Sequence, residues 1–510
     1  MNKRSAFVAR IEWLVDFGAS VAALIVYAGT LAPTITWAHS GADSGDLITA
    51  AWTLGVPHPT GYPLYTILAG LVSHLPLGDP ARNINLLSAI CAGVTVLLLA
   101  RAVRGITQDN GEPTVVNHFT APLLALVFAF APLFWSQAII AEVYTLHMLF
   151  TVALYTVLFS FTSHRFVLIA LILGLGLAHH LTIILFVPGG LVLIDQRPSR
   201  KQIVHAAMAF IFPLTVYFYL PIRAMAEPPI NWGGVITLER FGWMVSGAAY
   251  RPYLLTPSLA DVFARLGSTL RLLFEQFGVW GVALGLWGFV QMGMMPTATS
   301  RRRLTALLIS LSVILVFALV YGSRDSFVYL LPAMAIFILG MGYGVDDLTR
   351  RLPMRSVSVA LTVALVFFSA YNLTTNWQAM NLSNDRAAVD YAEKIFQAIP
   401  KDAVVLTDGD EHLFALWYYC YVVAPSSQVS IVSAELLQYD WYVEQTHRRL
   451  PWTSFANPAQ NNTFVQRLDQ VIETSLATGH SVYSTGKTAW LASYTLEERE
   501  GLYWIRNGRR

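Results

Sequence analysis

Apolar and polar positions along this chain fall into two regimes. Up to about residue 375, long runs of Leu, Val, Ile, Phe and Ala are broken by short polar interludes. The runs lie near 14–36, 84–103, 119–137, 144–161, 166–178, 182–195, 203–221, 272–292, 304–321, 328–345 and 357–373. Crossing ~30 Å of hydrocarbon takes ~20 helical residues, so the pattern predicts about eleven transmembrane helices. Those at 166–178 and 182–195 are short and suit a tilted or re-entrant hairpin around His179-His180. Beyond residue 375 the periodicity turns mixed. An amphipathic helix is predicted over 385–399, a strand over 402–407, a loop passing into a helix over 408–423, a strand over 428–437 and a helix over 442–448. The expected fold class is a mainly α membrane protein: a polytopic helical bundle over 1–375, then a soluble α/β domain over 376–510 large enough for its own core.

Composition agrees. Of 510 residues, 55% are hydrophobic and 13% charged, about half the ~25% charge of an ordinary soluble domain. A net charge of +2 leaves no electrostatic footprint for nucleic acid. Cys91 and Cys420 lie far apart and read as free thiols. Lys3, Arg4 and Arg10 precede an apolar run without a small-residue cleavage site, the pattern of a retained signal anchor. Basic residues then orient the bundle. Arg101 and Arg104, Arg165, Arg197 with Arg200 and Lys201, Arg301 to Arg303, and Arg350 with Arg351 and Arg355 all fall in alternate loops. The positive-inside rule makes those loops and the N-terminus cytoplasmic. Eleven crossings then leave the tail outside.

With that orientation, polar residues at span ends collect on the outer face: Asp43, Asp46, Glu142, His179, His180, Arg223, Arg251, Arg324 and Asp325. A charge at the bilayer centre costs at least ~3 kcal/mol, so acids and bases gathered at one interface imply a polar cavity there. The first outer loop, 37–83, opens with Asp43 and Asp46. If 45–52 is helical, their spacing of three puts both on one face. Asp43 then either takes a proton from an attacking hydroxyl or caps the helix. The 57–63 elbow, stiffened by Pro57, Pro59 and Pro63, either aims His58 and Tyr62 into the cavity or serves as a rigid turn.

Glu142, beside Tyr144, is placed to orient a sugar hydroxyl or hold a second proton. Adjacent histidines on a helix diverge by ~100°, so His179 and His180 read as hydrogen-bonding groups for phosphate or sugar, or as interfacial polarity. The long outer loop, 222–270, carries Arg223, Asn231, Trp232 and Arg251, a surface helix over 237–247 and a capping box at Ser258 and Asp261. Arg223, Arg251 and Arg324 have the planar fork that matches phosphate oxygens, with salt bridges to Glu227, Asp325 or lipid headgroups as the alternative. In the tail, Asp408, Asp410, Glu411 and His412 match no metal-loop spacing and read as a solvated helix start. Asn372, Asn381 and Asn461 open glycan sequons.

Several of these motifs carry a family resemblance. Asp43-Ser44-Gly45-Asp46, Gly55-Val56-Pro57-His58-Pro59, Gly61-Tyr62-Pro63-Leu64 and Asn85-Leu86-Leu87-Ser88 are followed by Trp135-Ser136-Gln137, Ala141-Glu142-Val143-Tyr144 and His179-His180-Leu181-Thr182. Then come Leu220-Pro221-Ile222-Arg223, Asn231-Trp232-Gly233, Asp408-Gly409-Asp410 and Leu416-Trp417-Tyr418. The ordered set, covering most of the chain, resembles a bacterial and eukaryotic membrane family that includes an animal endoplasmic-reticulum protein O-mannosyltransferase. The resemblance implies the GT-C glycosyltransferase fold, a polyprenyl-phosphate sugar as donor, and an acid in the first outer loop as catalyst. It points to Asp43 as general base with Asp46 supporting. Many relatives carry Glu where Asp46 stands, so this chain's shorter side chain departs from the pattern and leaves the role of Asp46 open.

The expectation is thus an integral-membrane, inverting hexosyltransferase that moves a sugar, mannose by the resemblance, from polyprenyl phosphate to a Ser or Thr hydroxyl of an exported protein. Asp43 and Asp46 are the catalytic candidates. His58, Tyr62, Glu142, Tyr144, His179, His180, Arg223, Asn231, Trp232 and Arg251 are the substrate-binding candidates. Two nearby aspartates permit a divalent metal without requiring one, and no other cofactor is implied. Expected partners are the prenyl-linked donor, an acceptor protein or glycan, and membrane lipid. The host membrane is a bacterial cytoplasmic membrane or the endoplasmic reticulum, with the tail extracytoplasmic. One alternative keeps the fold but uses a lipid or polysaccharide acceptor. Another is a secondary transporter, whose hallmarks are internal repeats and a midplane site. A catalytically inert receptor or scaffold is the third.

Overall fold

The computed structural model describes residues 3–107, 117–160, 162, 164–194, 196–425, 427–453 and 463–506. Among them, seven helices are long and apolar enough to cross a membrane: Phe7–Thr30, Pro80–Thr107, Arg200–Met225, Leu259–Met294, Ala298–Val320, Ser326–Arg351 and Arg355–Met380. An eighth candidate is broken, because His118–Ala129 and Pro132–Ala138 meet at 73°, where the Pro132 ring removes a helical donor. The chain is a multi-pass integral membrane protein. The runs expected to span at 144–161, 166–178 and 182–195 form shorter helices, Tyr144–Leu158, Arg165–Leu177 and Leu181–Val192. The longest of these, at 15 residues, reaches only ~22 Å. Apolar character alone therefore overstated the full-length spans: the eleven expected reduce to seven or eight among the described residues. The turn at Ala178 to His180 separates the other two.

Packing groups the chain into two compact units, each built from three stretches. One is Met1–Leu31, Asn85–Tyr217 and Tyr250–Ser383; the other is Ala32–Ile84, Phe218–Ala249 and Asn384–Arg510. The compositional boundary at 376 marks where the chain turns polar. The packing division instead places the first outer loop and the start of the 222–270 loop with the tail.

In the first unit, small residues let helix backbones touch. Lipid tails are as apolar as leucine, so helices in a membrane associate through close packing rather than by escaping water. Gly285 and Gly288 of Leu259–Met294 face Phe337 and the Gly340 carbonyl of Leu331–Arg351, and a Cβ at Gly288 would collide with that carbonyl. Gly344 meets the Leu284 carbonyl in the same way. The expected capping box is present: Ser258 Oγ accepts from Asp261 N at 3.2 Å, and Asp261 Oδ2 accepts from Ser258 N at 3.0 Å. Asn372 is buried inside Arg355–Met380 and donates to Gln276 O, which rules out its sequon as a glycan site. Asn461 lies outside the described residues. Both cysteines are free and buried.

The second unit holds a small mixed sheet. Its strands are β1 (Val404–Thr407), β2 (Ser430–Ser433), β3 (Val482–Ser484), β4 (Leu496–Arg499) and β5 (Leu502–Ile505), in the order β2-β1-β3-β5-β4. β1 runs parallel to β2 and β3, while β5 is antiparallel to β3 and β4. The unbroken Val404-Val405-Leu406 run is fully buried, as a central parallel strand covered on both faces should be. The predicted strands and the predicted helices, observed as Ala387–Ala398, Asp410–Tyr418 and Asp440–Arg449, are joined by an additional helix, Phe464–Ala477.

Gly288→Leu is expected to lower the thermal midpoint of the purified protein through overpacking worth at least ~1–3 kcal/mol. Gly267→Ala on the same helix has nothing within 4 Å and should be neutral or slightly stabilising. Melting of both variants in detergent, read by intrinsic fluorescence, checks the pair.

Candidate active site

The acidic loop begins with backbone strain. His39 and Ser40 sit in succession at φ 57° and 63°, a conformation costly for residues with a Cβ and often stored at functional sites. The chain then enters the helix Ser44–Thr53. Asp43 occupies its N-cap position, yet its side chain makes no capping hydrogen bond and is 43% exposed. Capping therefore does not account for it. Asp46, one turn on, is completely buried.

Three donors meet the Asp46 carboxylate. Oδ2 accepts from the His58 backbone N–H at 3.0 Å and lies 2.7 Å from His58 Nδ1, and Oδ1 accepts from Trp232 Nε1 at 3.0 Å. An ionised carboxylate can only accept, so Nδ1 carries the imidazole proton. That arrangement turns His58 Nε2 toward Asp43, 3.8 Å from its Oδ2. The gap exceeds a hydrogen bond but keeps the two groups in electrostatic reach. The 57–63 elbow is a turn that buries His58 against Asp46.

Pairing between distant segments brings in Trp232. Val56 N donates to Ile230 O at 2.8 Å, and Trp232 N donates to Val56 O at 3.0 Å. Asn231 Nδ2 donates to Ala224 O at 3.1 Å, and Asn231 O accepts from Gln445 Nε2 at 2.6 Å, so Asn231 positions its neighbour. The Trp232 ring lies about 6 Å from Phe414, Trp417 and Trp441, and Tyr62 stands edge-on to His58 at 5.3 Å. Arg223 Nε donates to Leu54 O at 2.5 Å, at the C-terminal end of Ser44–Thr53, where orphan carbonyls need donors. This arginine thus has a structural task.

The helix Asp410–Tyr418 packs directly on Ser44–Thr53: a Cβ at Gly45 would lie 2.6 Å from Phe414 O. That approach brings in Asp410, at the solvated helix start expected from the sequence. Desolvation, then the charges of Asp43, Glu435 and Asp46, push its carboxyl up to about 7 against the opposing pull of His58. The residue is open to solvent, so repulsion among the carboxylates is the firmer cause. Its signal in the sequence was the Asp408-Gly409-Asp410 motif. Asp408 itself is tied to Thr485 and His412.

The remaining candidates belong to the first unit. Glu142 is buried in the break before the helix Tyr144–Leu158. His179 Nε2 donates to Val143 O at 2.8 Å, and His180 Nδ1 lies 2.7 Å from Thr182 Oγ1, which lies 3.3 Å from His147 Nε2. Tyr144 donates to Asp325 at 3.4 Å, and its ring sits 5.9 Å from Tyr329. His147 had escaped notice because it lies inside an apolar run. Arg251 is exposed on the segment Ala248–Tyr253.

Among the described residues no group of three His, Cys, Asp or Glu side chains is placed to hold a metal ion. Both Asp46 oxygens are already engaged by His58 and Trp232. The donor set does not fit a divalent metal, and no step is derived through one.

Residues 43–203 match the family model described as the protein O-mannosyl-transferase TMEM260 N-terminal domain, and residues 388–492 match TMEM260-associated domain 2. The chain is 26% identical over 476 residues to the protein O-mannosyl-transferase TMEM260 of Mus musculus, covering 87% of this chain and 66% of that protein. It is 22% identical over 482 residues to the Dictyostelium discoideum protein of the same name, with coverages of 83% and 57%. The chain thus spans less than two thirds of the length of these curated relatives. In fold it is similar to ArnT from Cupriavidus metallidurans, crystallised with undecaprenyl phosphate, at TM-score 0.58 and 13% identity over 97% of both chains.

Trp232→Phe removes one donor from a buried carboxylate and should cost ~1–3 kcal/mol of stability, measurable by denaturant unfolding in detergent; an unchanged midpoint would mean that Asp46 does not depend on the indole. Because the folded-state pKa of Asp410 is raised to about 7 from 3.8, the folded protein holds its proton through that window while the unfolded chain has released it. Stability contributed by Asp410 therefore falls as pH rises from about 4 to 7. Melting curves of Asp410→Asn should match wild type near the bottom of that range and exceed it above the top.

Proposed function

The chain belongs to the TMEM260 protein O-mannosyltransferase family, and from that premise we propose that it is an inverting GT-C-type glycosyltransferase of the membrane. It transfers mannose from a polyprenyl-phosphate carrier to a Ser or Thr hydroxyl of an exported protein. The observation that carries the mechanism is the unequal pair in the first outer loop: Asp46 buried and fully engaged, Asp43 exposed and bound to no capping role. The acceptor oxygen attacks the anomeric carbon as the bond from that carbon to the phosphate oxygen breaks. The bonding electrons leave with polyprenyl phosphate, and the acceptor proton passes to Asp43. Asp46 is a positioning residue: it holds the His58 ring so that Nε2 faces Asp43. Single displacement inverts the anomeric centre.

Leaving phosphate needs preorganised donors. Arg223 keeps N–H groups beyond those spent on Leu54 and Thr53 and is assigned to the phosphate. Tyr62 and Trp232 frame the His58 ring and are assigned to substrate contact. Glu142, Tyr144, His179, His180 and Arg251 in the first unit are assigned to substrate binding on their chemistry. The likeness in fold to a protein crystallised with undecaprenyl phosphate supports the prenyl-linked donor, and the names of the relatives support mannose and a protein acceptor. The basic loops support a cytoplasmic N-terminus with the acidic loop and tail outside.

Purified protein given radiolabelled polyprenyl-phosphate mannose and an extract of exported proteins should place label on protein. Asp43→Asn should cut kcat by ~10²–10⁴; equal transfer would remove Asp43 from the mechanism, and label on lipid or polysaccharide would change the acceptor. Because Asp410 titrates near 7 beside Asp43, the wild-type rate should bend in that region, and the bend should vanish in Asp410→Asn.

A further inference from the structure

We propose that the cleft along the free edge of β2 receives the acceptor polypeptide as an added strand. β2 is an edge of the sheet, paired with β1 among the described residues. Ser430 N and Ala434 N donate inward, to Ala403 O at 2.9 Å and Thr407 O at 3.2 Å. Backbone groups alternate along a strand, so Ile431 and Ser433 turn their N–H groups outward. The Ser433 N–H is met by the Tyr442 hydroxyl at 2.8 Å. Ile431, at mid-strand, is buried to 4% exposure and by the same alternation turns its N–H and C=O toward the cleft it lines.

That side is a cleft of about 370 Å³ lined by Gln428, Ile431, Tyr442, Thr446, Arg449 and Glu227, among others. Its volume falls in the range of genuine binding pockets. Exposed sheet edges are usually blunted by a lysine, a proline or a bulge. Ser430-Ile431-Val432-Ser433 carries no charge and no proline. An open edge inside a polar-walled cleft selects main chain over any side-chain pattern, which suits an occupant that is an extended polypeptide.

The cleft adjoins the acidic group through one helix. Tyr442, Thr446 and Arg449 of Asp440–Arg449 line it. From the same helix, Trp441 packs 5.9 Å from Trp232 and Gln445 donates to Asn231 O. Pro229 also lines the cleft, three residues before Trp232, a span of at most ~11 Å of chain. A segment bound at β2 is thereby carried past the residue that holds Asp46. This inference rests on the acceptor being a protein.

The test separates the two ideas. With a synthetic peptide of alternating Thr and Val added to the full-length protein in detergent, hydrogen exchange at 429–433 should slow about tenfold. Gln428→Trp narrows the cleft from an exposed position, and Ile431→Pro removes an amide that does not serve the ladder together with a buried side chain, so its thermal midpoint is measured beside it. Either should abolish that protection and raise the KM for peptide about tenfold. Both should release mannose from the prenyl donor to water at the wild-type rate, since that reaction needs no acceptor cleft. Unchanged exchange at 429–433, or protection that survives in Gln428→Trp, overturns the cleft. If wild type releases no mannose at all, the enzymatic reading fails, while the exchange result still decides whether β2 binds polypeptide.

Discussion

A carboxylate buried without partners would cost several kcal/mol, and Asp46 is fully buried. The second unit is arranged around meeting that demand. Two of its three donors come from His58 in the 57–63 elbow and the third from Trp232, which is placed by the Val56–Ile230 pairing and by the hold of Gln445 on the Asn231 carbonyl. Three separated stretches thereby meet around one side chain. Asp43, a single helical turn away, escapes this and stays open to solvent. Two like acids three residues apart thus sit in opposite environments.

The two family-model matches bracket this arrangement. The first covers Asp43, Asp46 and His58, and the second covers Asp410 and the helix Asp440–Arg449. Trp232 lies outside both, although it supplies a donor to the buried acid. The acidic group is assembled from segments that sequence comparison treats as separate pieces.

Much of the secondary structure was legible because it obeys local rules. The Ser258 capping box needs four residues, the β1 run needs only its Val and Leu, and the helix that Asp43 precedes and Asp46 sits in follows from a short polar-apolar pattern. Span counting failed where hydropathy and length part company. The runs over 144–195 are apolar enough to dissolve in lipid, but turns divide them into helices shorter than the bilayer's thickness. Asp410 was visible as a motif and invisible as a member of the acidic group, since its shifted carboxyl depends on charges from the first loop.

By itself, the sequence determined what depends on near neighbours: a multi-pass membrane protein with a mixed α/β tail, a short helix starting beside the two acids and a proline-rich turn after it. Tertiary structure decided which of the two acids is buried, that Arg223 is spent partly on helix-end carbonyls, that Asp410 feels the charges of the loop's acids, and that β2 lies at the edge of the sheet. The physical reason is range. Periodicity records which face of an element avoids water, whereas hydrogen bonds and charge shifts depend on which distant backbone comes to lie against that face.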